Sequence, residues 1–202
     1  MNPDWTPPRP RPGLAGEWDK FVGPGQTRSE FWLSLIPAVL AGLAAPLYAV
    51  YTGLSWTTIQ LIVVGVMAFD LVGGVVTNAT SAAKRWYHRP GLGWLQHLEF
   101  VAVHAVHIFL ITWLFRQGDW LFFGVYYAYL LTSSLIITRA KLGLQRPVAL
   151  LLYACVLLLN FYVVLPTAGL EWFVPIFFLK LLVSHLIKET PFSLKTGEGY
   201  YG

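Results

Sequence analysis

Six runs of mostly apolar residues alternate with short polar segments along the chain, at about 31–52, 55–78, 94–115, 120–138, 147–165 and 170–188. Each is close to the roughly 20 residues a helix needs to cross a bilayer core about 30 Å thick. The pattern therefore predicts an all-α integral membrane protein, a bundle of about six transmembrane helices. Before it, residues 1–30 read as a Pro-rich tail. PPRPRPG at 7–13 is expected to be extended, and 16–22 to lie in the membrane interface with Trp18 and Phe21 as anchors. Residues 31–188 form the membrane domain, and 189–202 a second, flexible tail.

Within the runs, Ala38, Ala41, Gly42 and Ala45 make a stripe of small residues suited to close helix contact. Pro37, Pro46 and Pro175 are expected kink sites, and Pro147 suits the first turn of the fifth span. The first apolar run begins near Phe31 and is expected to be retained as a span.

Composition agrees with the pattern. The chain has 202 residues, 56% of them hydrophobic and 12% charged, against about a quarter charged in soluble domains. A single cysteine, Cys155, excludes an internal disulfide. The net charge of +4 carries no nucleic-acid signal, because the basic residues sit in the segments between spans. Twelve of them (Arg9, Arg11, Lys20, Arg28, Lys84, Arg85, Arg89, Arg139, Lys141, Arg146, Lys188 and Lys195) fall on one side of the expected bilayer, and Arg116 alone on the other. Both termini are thus expected in the cytoplasm, in a cell membrane and most simply the plasma (inner) membrane.

Topology gives each polar residue inside a span a depth. Asp70, His104, His107 and Lys180 fall near the middle, while Asn78, His97 and His185 lie toward the cytoplasm. On the second span Asp70, Gly73, Gly74, Thr77, Asn78 and Ser81 share one helix face. His97, His104 and His107 are spaced by 7 and 3 and share another. Thr132, Ser133 and Ser134 add hydroxyls at similar depth.

A charge in mid-membrane costs at least about 2.5–3.5 kcal/mol, so Asp70 and Lys180 need a reason to be there. One reading is a buried ion pair that fixes helix packing. The other is chemistry: Asp70, His104, His107 and Lys180 as catalytic acid–base groups acting on a lipid or other apolar substrate. Asp70, His104, His107 and His185 also supply the N and O ligands that Zn or Fe would take. Neither His-Glu-x-x-His nor the repeated Glu-x-x-His of di-iron bundles occurs. Asn78, Lys84, Arg85, His97 and Glu99 are expected near the cytoplasmic surface, where they can meet a headgroup or substrate. His88 is expected to face headgroups, and Gly73–Gly74 to serve helix packing. Two further readings are a proton- or cation-coupled carrier with Asp70, His104 and Lys180 as a relay, and a structural subunit for an oligomer or membrane partner.

Overall fold

A computed structural model describes residues 5–191 of the chain. The described residues are helical, with no strand. The sequence elements are α1 (Leu14–Val22), α2 (Arg28–Tyr51), α3 (Thr58–Ala79), α4 (Ser81–Tyr87), α5 (Trp94–Ala102), α6 (Ala105–Phe115), α7 (Trp120–Arg139), α8 (Leu142–Tyr162) and α9 (Phe173–Phe178). After α9 the chain continues as a π-helix, Leu179–His185. Five helices are long and apolar enough to cross a membrane: α2, α3, α5 with α6, α7 and α8.

The helix starts are written in the sequence. Thr27 and Glu30 form a capping box on α2, and Thr57 and Gln60 form one on α3. Glu30 also accepts a bond from the Ser81 N–H (2.9 Å), tying the start of α2 to that of α4. Pro37 and Pro46 sit inside α2 without ending it.

α2 and α3 pack along a seam of small residues. A Cβ on Gly65 would meet the Gly42 carbonyl oxygen at 2.9 Å, and one on Gly73 would meet Ala38 Cβ at 2.9 Å. Any larger side chain at either glycine would push the helices apart.

The expected sixth span is the surprise. It is helical only over Phe173–His185, 13 residues, and is the most enclosed piece of the bundle. Phe173, Phe177, Phe178, Leu181 and Leu182 are all buried, whereas α2 and α8 expose Leu40, Leu43, Leu47, Leu151 and Leu158. Charged contacts mark the two ends of the bundle. Arg116 bonds Asp119, the Thr167 hydroxyl and the Leu165 carbonyl at one end. At the other, Arg146 pairs with Glu189, and Gln145 accepts from the Lys188 N–H.

Three local expectations change. The loop expected at 81–93 begins with α4, whose Lys84 and Arg85 are buried. The run at 94–115 is broken at Val103–His104, between α5 and α6. The basic loop expected at 139–147 shrinks to Ala140 and Lys141, so Pro147 lies in the second turn of α8 rather than the first. The stretch 192–202, expected to be loose, lies outside the described residues.

Candidate functional site

α3 turns Asp70, Gly73, Gly74, Thr77 and Asn78 onto one face, and all five line a cavity of about 140 Å3. Its walls are Trp18 and Phe21 from α1, Phe31, Leu35 and Ala38 from α2, Phe69 from α3 and Phe100 from α5. Its polar floor is Asp70, His104 and Lys180. α1 is held over one side by two bonds. The Arg11 guanidinium pairs with Asp19 (2.7 Å), and the Tyr87 hydroxyl donates to the Phe21 carbonyl (2.8 Å).

At the floor, Asp70 Oδ2 accepts two bonds. Lys180 Nζ donates at 2.6 Å and His107 Nε2 at 3.0 Å. Lys180 is almost fully buried, at 5% side-chain exposure, while Asp70 keeps 31%. The lysine reaches the carboxylate by crossing α3 at Gly74, where a Cβ would collide with Lys180 Cδ and Cε. Gly73 and Gly74 therefore do different work: the first lets α2 approach, the second lets a side chain pass.

His104 owes its position to the break between α5 and α6. Its backbone N–H bonds to the Val101 carbonyl (3.0 Å), three residues back rather than four. The freed Phe100 carbonyl accepts the His104 ring Nδ1–H instead (2.8 Å). That bond fixes the tautomer, so Nε2 is left as a proton acceptor. The His104 and His107 rings stack, 5.3 Å between centroids. Two other polar atoms of the cavity wall or mouth, Gln26 Nε2 and Asn78 Nδ2, are buried donors with no hydrogen-bond partner among the described residues.

A second polar cluster lies toward the basic end. His97 Nδ1 and His185 Nε2 are 3.3 Å apart, and His88 Nε2 donates to the His185 carbonyl (2.9 Å). Phe100 stands between the clusters, stacked on His185 at 3.9 Å and touching His104 at 4.9 Å. Lys84 Nζ donates to the Ser184 and Ile187 carbonyls at 2.6 and 2.7 Å, capping the end of the π-helix. Burial pulls the Lys84 ammonium down to about 8, and burial with the neighbouring His97 and Lys84 pulls His88 down to about 3.

No family model matches the chain, and no curated protein or solved structure matches it.

Of the residues singled out in the sequence, Asp70, His107, Lys180 and His104 are brought together. His185 is not; it stands with His88 and His97 on the far side of Phe100. Among the described residues no three His, Cys, Asp or Glu side chains are gathered as a metal site. The quartet Asp70, His104, His107 and His185 is thus not assembled as a Zn or Fe centre. Lys84, Arg85 and His88 do not face headgroups, being 2%, 1% and 6% exposed. Charge counting explained these residues fully by topology, so nothing in the sequence pointed to their burial. Glu99 is exposed on α5, and Asn78 lines the cavity. Gln26 and Phe100 were missed, one hidden in the tail and the other one apolar residue among many.

Proposed function

We propose that this chain is an integral protein of the plasma (inner) membrane with six traversals and both termini in the cytoplasm. We further propose that it is an enzyme working by proton transfer on a lipid or other apolar substrate held in the cleft beneath α1. Support for the sixth traversal comes from contacts at its two ends: Thr167 binds Arg116 at one end of the bundle, and Glu189 pairs with Arg146 at the other. The positive-inside bias puts the Arg146 end in the cytoplasm.

One observation carries the enzymatic reading. An unprotonated His104 Nε2 and an Asp70–Lys180–His107 group share the floor of a cavity with apolar walls. In that setting His104 accepts a proton from the substrate. The Lys180 ammonium stabilises the negative charge that develops, more strongly than it would in water. Asp70 holds the lysine and His107 in place.

The test uses the protein in nanodiscs, incubated with a total lipid extract and followed by mass spectrometry. The wild type should consume a lipid species. His104→Ala, with an unchanged melting temperature, should slow consumption by about 100-fold or more, the usual worth of a general base. A folded and fully active His104→Ala protein would overturn the reading. So would a wild type that changes no component of the extract, which leaves the Asp70–Lys180 pair as a packing device.

A further inference from the structure

The cleft continues outward into a wider cavity of about 880 Å3, bounded by the segment 8–11, α1 and the start of α2. Trp18, Gln26, Phe31 and Leu35 line both spaces. The outer one carries Arg9, Arg11 and Arg28 against a single carboxylate, Asp19. Arg11 is engaged by Asp19. Arg9 and Arg28 are exposed and make no salt bridge among the described residues.

Inward of these guanidiniums stand Gln26 Nε2 and Asn78 Nδ2. Both are buried donors without partners, and Asn78 is only 7% exposed. A buried amide left unpaired is costly, and acceptor oxygens would satisfy it. Asn78 lies two turns along α3 from Asp70, about 12 Å by the helical rise. Between these levels the wall is Phe31, Leu35, Ala38 and Phe69, with little to bind a polar group. The site is therefore bipolar: cations and amide donors at the mouth, an apolar channel, and an acid–base floor.

We propose that the cleft takes a single-chain amphiphile with an anionic head, a carboxylate or a phosphate. Arg9, Arg28, Gln26 and Asn78 hold the head, and the chain runs down to Asp70, His104 and Lys180. This rests on the reading of the cleft as the substrate site. Guanidinium suits such a head because its planar fork matches a carboxylate or phosphate with two parallel bonds.

The probe is a fatty acid with a diazirine near the end of its chain, added to the protein in phosphatidylcholine nanodiscs. After irradiation the labelled residues are mapped by mass spectrometry. Label is expected on the peptides holding Phe69 and Phe100. Dodecyl phosphate should compete, and dodecanol should compete at least about tenfold less well, the discrimination that 1.4 kcal/mol provides. The double variant Arg9→Gln, Arg28→Gln should lose dodecyl phosphate competition by a similar factor, while Lys20→Gln should not. Because both arginines are exposed, folding is not at risk.

Equal competition by dodecanol, or an unaffected double variant, would overturn the anionic head and leave the cleft as an apolar site. Displacement by inorganic phosphate as effective as by dodecyl phosphate would overturn the amphiphile in favour of a free-phosphate site. Label absent from the cleft would overturn both this inference and the function it builds on.

Discussion

Lys180 reaches Asp70 only because Gly74 has no side chain. The lysine stem lies against α3 where a Cβ would stand, and its ammonium ends 2.6 Å from Asp70 Oδ2. Gly74→Ala should therefore displace the lysine, at a cost of about 1–3 kcal/mol for overpacking. Thermal unfolding of Gly74→Ala, Lys180→Ala and the double variant checks this. Removing the lysine stem should relieve most of the alanine's cost, giving strong non-additivity. Simple addition of the two effects would show that the contact is not the cause.

The pair itself separates packing from chemistry. Lys180→Met leaves Asp70 with His107 alone, and Asp70→Asn leaves a buried ammonium. Breaking a buried pair from one side costs about 3–5 kcal/mol. The double variant Asp70→Asn, Lys180→Met should recover much of that stability. If the pair serves chemistry, the recovered protein stays inactive in the lipid turnover assay. Full activity in a stable double variant would assign the pair to packing.

His88 makes the fold acid-sensitive. Its folded value is about 3 against an ordinary 6.5, because burial and the nearby His97 and Lys84 oppose its charge. Between those values the unfolded chain binds a proton that the folded one does not. Stability from this group is complete above pH 6.5 and falls as the pH drops toward 3, by at most about 1.4 kcal/mol per pH unit. Melting curves of the wild type and His88→Gln should converge in acid, the variant being the flatter of the two. Parallel curves would contradict the assignment.

Lys84 behaves with the opposite charge but the same direction of shift. Burial is the main cause of its folded value of about 8, with Arg146 opposing and Glu189 favouring the charge. The unfolded chain binds the extra proton between pH 8 and 10.5, so the cost of burying the ammonium is relieved as the pH rises through that window. The stability difference between wild type and Lys84→Met should move in favour of wild type over the same range. A difference independent of pH would mean that the ammonium stays charged.

Much of this was legible in the amino acids, for physical reasons. Apolar runs announced α2, α3, α7 and α8, because lipid tolerates only backbones that satisfy themselves. Counting depth from the ends of the runs placed Asp70 level with Lys180, and helical spacing placed Asn78 on the same face as Asp70. What stayed hidden depends on departures from α-helical geometry. His185 was expected beside Lys180 at the floor, but a π-helix and the ring of Phe100 set it elsewhere. The Val103–His104 break, which fixes the His104 tautomer, leaves no mark in a run that reads as one uninterrupted span. Lys84, Arg85 and His88 were assigned to the surface because topology already accounted for them.

The π-helix has a consequence for register. Residues five apart diverge by about 140° around an α-helix, but in a π turn they come back into line. The Leu186 N–H bond to the Leu181 carbonyl, 3.2 Å long, is such a five-residue turn. Lys180 and His185 are five apart, and so one short rod serves two polar compartments from one side. Deleting a single residue from 179–185 would let the rod tighten to an α-helix with scarcely any loss of length. It would also rotate everything beyond the deletion, unhooking His185 from His97 and the capped carbonyls from Lys84. The smallest change in length available to this segment is therefore among the largest in wiring.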